Sequence, residues 1–163
     1  DPANVEAHAA RAYWAAWRNT LCGTTHSFRR DPDGPPPNNL LNYGYAVIRA
    51  ATARAIVAAG LLPAIGIHHR NRSNAFCLAD DLVEPLRPMV DARVAEIVRG
   101  RETELSTDAK RGLLELLTLE VRTGDQIGPL MVALHRYAAS LVKCFEGSAK
   151  QLDVPTVAQA SCL

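Results

Sequence analysis

The stretch Asn39-Leu40-Leu41-Asn42-Tyr43-Gly44-Tyr45-Ala46-Val47-Ile48-Arg49-Ala50-Ala51-Thr52-Ala53-Arg54-Ala55-Ile56-Val57-Ala58-Ala59-Gly60 decides the fold class. Leu41, Tyr45, Ile48, Thr52, Ala55 and Ala59 recur at steps of three and four, the period of one helix face. Gly60 stands where a helix ends in a left-handed residue. The many small residues imply a helix that neighbours approach closely. The spacing therefore predicts a helix over about 39–59, one of several in an all-α, bundle-like domain.

Upstream, Asp1 can cap a first helix, Pro2 suits its first position, and the Ala-rich run extends it to about Arg18. Tyr13, Trp14 and Trp17 form an aromatic patch on it. Residues 23–37, with three consecutive prolines, predict a mobile surface loop. Downstream, a short link carries His68-His69-Arg70-Asn71-Arg72. A third helix begins near Asn74 and is kinked or split at Pro85 and Pro88, resuming from Met89 to about Val98. Ser106 or Thr107 caps a fourth helix reaching about Arg122, and a fifth spans about Ile127 to Glu146. No strand is expected. Residues 1–147 are read as one helical domain and 148–163 as a loose tail.

Composition excludes several classes. A hydrophobic share of 48% and a charged share of 21% are those of an ordinary globular chain. No apolar run is long enough to cross a bilayer and the start, Asp1-Pro2-Ala3-Asn4, lacks the basic and apolar regions of a signal peptide, so a cytoplasmic protein is expected. A net charge of +1 is not that of a strongly basic nucleic-acid binder. The cations are mostly Arg, which suits phosphate contacts, although a GC-rich genome produces the same bias. Cys22, Cys77, Cys144 and Cys162 lie far apart and read as free thiols.

One local group stands out. Asp81 and Glu84 are three apart, so a helix presents both on one face, and Asp80 can share part of it. His69 lies just before that helix, within reach of folding back. A His nitrogen with carboxylate oxygens suits Mg²⁺ or Mn²⁺. The competing reading is plain: acids in early helical turns offset the helix dipole, and a loop His is ordinary polar surface. By residue type alone, Glu6 and His8 are solvated helix residues.

Four segments in order carry a family resemblance. Asn-x-Glu-x-x-Ala-Ala-x-x-Tyr-Trp at 4–14, the helix motif at 42–51, Gly60–His69 and Leu78–Pro88 together resemble the catalytic domain of CRISPR-associated integrases of the Cas-one family. The wording is closest to members from RNA-guided, single-effector type II systems. Each segment is weak alone; the ordered set, covering about the first 95 residues, is specific.

The resemblance implies Glu6, His69 and Glu84 as catalytic metal ligands, with Asp81 as a supporting acid and His69 preferred over His68. It implies a DNA endonuclease and integrase that inserts short fragments into a CRISPR array, a fragment's 3′-hydroxyl attacking a phosphodiester with Mg²⁺ or Mn²⁺ as cofactor. Arg70 and Arg72, beside His69, can grip phosphates or simply be solvated. No covalent protein–DNA intermediate is implied, so Tyr43 and Tyr45 are read as packing residues. Implied partners are double-stranded DNA, a second copy in a homodimer, and a small companion of the Cas-two family bridging two dimers. Family members also carry an N-terminal β-rich domain, and this chain is expected to begin after it. Two rival functions remain: a metal-dependent nuclease on branched DNA or RNA, and a non-catalytic helical interaction module.

Overall fold

A computed structural model describes residues 2–21 and 28–158, apart from the side chains of residues 2–4 and Glu6. Six helices carry the fold: α1 (Pro2–Asn19), α2 (Asn38–Ala58), α3 (Cys77–Val83), α4 (Arg87–Arg99), α5 (Thr107–Leu114) and α6 (Leu130–Phe145). A small sheet is formed by β1 (Glu120–Thr123), β2 (Gln126–Pro129) and β3 (Thr156–Val157).

The central helix is α2, against which α3, α4, α5 and α6 all pack. Leu41, Ile48, Thr52 and Ala55 of the expected face are buried, and Tyr45 and Ala59 pack at its margin. Gly44 explains the close approach of α4: a Cβ there would stand 2.5 Å from Val90 Cγ1. Overpacking of that kind costs about 1–3 kcal/mol. Asn38, 1% exposed, ties down the preceding turn. Its carboxamide accepts from Arg30 and the Asp31 amide and donates to the carbonyls of Arg29 and Pro35. The turn from Asp31 to Pro37 is thus pinned rather than the mobile loop expected; residues 23–27 of that segment lie outside the described residues.

The proline pair acts as its chemistry requires. A 3-10 turn, Glu84–Leu86, separates α3 from α4, with Pro85 and Pro88 near the starts of the turn and of α4, where a missing N–H costs least. The α3 helix begins at Cys77 rather than Asn74, because the Asn74 side chain accepts the Phe76 amide and holds a turn. Ser106 caps α5 through its hydroxyl, as expected.

Two expectations are corrected. The fourth helix does not reach Arg122 and the fifth does not begin at Ile127. After a 3-10 turn, residues 120–129 form an antiparallel hairpin, Val121 opposite Gly128, closed by Gly124-Asp125. The segment expected as a loose tail is stitched down as far as residue 158. Leu152 and Val154 pack on the core, the Asp153 amide donates to Ser140 Oγ, and β3 pairs with β1. The sheet order is β2-β1-β3, and the domain remains predominantly helical. Among the described residues, Cys77 and Cys144 are free thiols, and no helix is long and apolar enough to cross a membrane. Cys22 and Cys162 lie outside the described residues.

Candidate active site

The link from Leu61 to Phe76 has almost no regular structure, so its amides need partners from elsewhere. One carboxylate supplies three. Asp81, on α3, accepts the backbone N–H of Ile67 (2.6 Å), His68 (3.0 Å) and His69 (3.1 Å). It also meets His69 Nδ1 at 2.6 Å. Gly66 makes the wrap possible: a Cβ there would strike the His69 carbonyl and come within 2.9 Å of Asp81 Oδ2. Burial alone raises the Asp81 carboxyl, but the hydrogen bonds from His68, His69 and Ile67 outweigh it and hold the group below its ordinary value. An ionised carboxylate can only accept, so Nδ1 of His69 is the donor. In the neutral imidazole the lone pair is then on the other ring nitrogen, Nε2.

His69 lines a cleft of about 570 Å³ shared with Glu84 and His68. Ile67, Leu82, Leu152 and Val154 give it apolar walls. Tyr137 also borders it, its phenol pushed up by burial to about 12, so that it stays a neutral donor near neutral pH. Glu84 opens the 3-10 turn with its side chain half exposed and an oxygen 2.9 Å from the Arg87 guanidinium. Asp80, by contrast, turns toward α2. It is held bidentately by Arg49 and by the Asn74 amide, bonds that keep it ionised against the cost of burial. Asp80 therefore does not share the face of Asp81 and Glu84.

The structure thus brings His69, Asp81 and Glu84 to one cleft. Glu6 falls on α1, but its side chain lies outside the described residues; His8 is exposed. Arg70 and Arg72 are exposed on the loop beside His69. Among the described residues no three His, Cys, Asp or Glu side chains make a complete metal cluster. The donors present nevertheless fit a divalent cation. A His nitrogen is fixed in the ligating tautomer by a buried second carboxylate, and a Glu oxygen borders the same cleft.

One group escaped the sequence reading. Asp91 of α4, 2% exposed, accepts the hydroxyls of Tyr13 and Tyr45, and its carbonyl accepts the Trp17 indole N–H at 2.8 Å. Tyr45, expected only to pack, therefore also hydrogen-bonds. Burial pushes both phenols well above their ordinary range. This cluster latches α1, the helix that bears Glu6, to α2 and α4.

The family described as CRISPR associated protein Cas1 matches residues 3–118. The chain belongs to the Cas1 family. That Cas1 match encloses Glu6, His69, Asp81 and Glu84. The chain is 38% identical over 160 residues to a CRISPR-associated endonuclease Cas1 of Neisseria meningitidis serogroup C, covering 96% of this chain and 50% of the relative. It is 37% identical over 141 residues to a second Cas1 endonuclease, of Pyrobaculum aerophilum, covering 85% and 46%. The chain therefore spans about half the length of these curated Cas1 relatives. Its fold is shared with a casposase bound to integration product, with a TM-score of 0.77 at 22% identity over 93% of this chain and 49% of that one.

Proposed function

We propose that this chain is the catalytic helical part of a metal-dependent DNA endonuclease and integrase that inserts short DNA fragments into a CRISPR array. The observation that carries the reading is the Asp81–His69 clamp, which presents a ligating imidazole to the cleft that Glu84 lines, in a chain of the Cas1 family. The named activities of the Cas1 endonucleases and the casposase support it.

His69 and Glu84, with Glu6 from α1, would hold Mg²⁺ or Mn²⁺, which when bound supplies positive charge for the attacked phosphate and the departing 3′-oxygen. Asp81 fixes the tautomer and aim of His69, so the imidazole is preorganised before substrate arrives. The apolar walls limit water around the reacting phosphate. Arg70 and Arg72, exposed on the loop beside His69, would contact the DNA backbone. In the reaction, the incoming 3′-hydroxyl oxygen forms a bond to phosphorus and the bond to the departing 3′-oxygen breaks, so one phosphodiester replaces another without a protein-linked intermediate. A second copy and a companion of the Cas-two family belong to the same proposal.

The test uses full-length protein, the companion protein, labelled DNA fragments and an array repeat, with Mn²⁺, Mg²⁺ or EDTA. Joined products that need the metal and vanish in His69→Ala support the reading. Metal-dependent cleavage without joining points instead to a nuclease on branched DNA or RNA. Full joining in EDTA would overturn metal dependence, and full joining by His69→Ala would remove His69 from the site.

A further inference from the structure

A second cavity, of about 240 Å³, is lined by Arg87, the ion-pair partner of Glu84. It is also lined by Arg30, Asn42, Tyr45, Arg49 and Asp80. The guanidiniums of Arg30 and Arg87 lie 5.6 and 5.4 Å from the Tyr45 ring centre. Arg30 is held by neutral partners, the carboxamides of Asn38 and Asn42. Arg49 is spent on Asp80, and the Asp91 carboxylate lies behind the Tyr45 hydroxyl. The three guanidiniums are thus met by Asp80 in the lining, by Asp91 behind Tyr45, and by Glu84, which stands outside the lining with an oxygen 2.9 Å from Arg87. Their charge is balanced only while Glu84 pairs with Arg87.

We propose that this arginine pocket is a backbone-phosphate site, closed while Arg87 pairs with Glu84 and opened when Glu84 turns to a cation in the adjoining cleft. The proposal rests on the functional reading above. Glu84 lines the cleft and pairs with Arg87, which lines the arginine pocket, so its carboxylate serves either Arg87 or a cation. Once it leaves, the pocket carries one unbalanced positive charge. Arg30 and Arg87, preoriented over Tyr45, then present guanidinium forks suited to a phosphodiester. Arg49, fixed by Asp80 and Asn74 and stacked on Phe76, shapes the wall. Cation and phosphate would in this way favour each other's binding, and the coupling is reciprocal.

The experiment needs no catalysis. Binding of full-length protein to a fluorescent DNA duplex is measured in EDTA across a salt series. Glu84→Gln should mimic departure of the carboxylate: binding tightens roughly five- to tenfold and the slope of log K against log salt steepens by about 1, as for one added phosphate contact. Arg87→Gln alone should change little in EDTA, because Arg87 is already occupied. In the Glu84→Gln background, Arg87→Gln should remove the whole gain, and Arg30→Ala most of it. Arg87→Met, which keeps the stem over Tyr45, answers the same question should Arg87→Gln disturb folding. An equal gain from Glu84→Gln with and without Arg87 would mean simple removal of a negative charge and would overturn the site. So would no gain at all. Wild-type protein that holds no DNA, or unaltered joining by His69→Ala, would instead bring down the functional reading on which the site depends.

Discussion

Asp81 holds His69 twice through one oxygen: Oδ1 lies 2.6 Å from the imidazole Nδ1 and 3.1 Å from the His69 backbone nitrogen. Ring and main chain of the candidate ligand are thus set by one carboxylate, and Oδ2 sets the two residues before it. The position of the imidazole is therefore decided by α3 and not by the loop it sits on.

Asp81→Ala should free residues 67–69 and misplace Nε2. Loss of a partner that orients a metal-binding His weakens metal affinity or activity about 10–100-fold. Stripping three amides of their acceptor should also cost about 1–3 kcal/mol of stability. Manganese titration and thermal denaturation of the variant measure the two effects. Wild-type metal affinity in Asp81→Ala would show that the clamp is only structural.

His69→Ala should abolish metal-dependent joining while circular dichroism stays that of the native fold, and His68→Ala should be much milder. Both rings border the cleft and stand edge to face at 5.8 Å, yet of the two it is the His69 ring that Asp81 holds. Equal losses would undo the choice between them.

Much of this was legible beforehand, for identifiable reasons. The period of α2 and the proline break before α4 are local signals, and both elements fall where those signals put them. The grouping of His69, Asp81 and Glu84 depends on one short loop and one helical turn, so it too was readable. The hairpin was not read, because Ile127, Leu130 and Leu134 keep a helical spacing from β2 straight into α6 and the strands are only four residues long. Part of its stability comes from β3, some 35 residues along the chain, a pairing no local window contains. Asp91 looks like any helix acid; its partners Tyr45 and Tyr13 precede it by 46 and 78 residues.

The acid limb of stability should divide by residue. Asp81 sits below its ordinary value near 3.8 when folded, since its hydrogen bonds outweigh burial. Its stabilisation is present above that value and is lost as pH falls through the folded one. Asp91 is the reverse: burial raises it despite the hydroxyls of Tyr13 and Tyr45, so its contribution is full below 3.8 and is lost as pH rises through the folded value. Urea midpoints measured between about pH 5 and pH 3 should fall less steeply in Asp81→Asn than in wild type and more steeply in Asp91→Asn. Parallel curves for all three proteins would contradict both assignments.

The latch on α1 should be readable from tryptophan alone. The chain has two tryptophans, Trp14 and Trp17, and both lie on α1. Trp17 is 6% exposed, packed with Phe28 and bonded to the Asp91 carbonyl. Asp91→Ala leaves that carbonyl but strands the buried hydroxyl of Tyr45 and frees that of Tyr13. The cost should be about 1–3 kcal/mol for the stranded partner. Because the Tyr13 phenol is what ties α1 to the Asp91 side chain, while Tyr45 ties α2 to it, the loss should fall first on α1 and show as local opening. Emission of this chain should then shift to the red and become more open to acrylamide quenching at temperatures where far-ultraviolet circular dichroism is unchanged. Tyr45→Phe, which removes one donor and leaves Tyr13 in place, should give a smaller shift of the same sign. Native emission from Asp91→Ala at those temperatures would mean that α1 is held by its aromatic packing against Phe28 and not by the buried carboxylate.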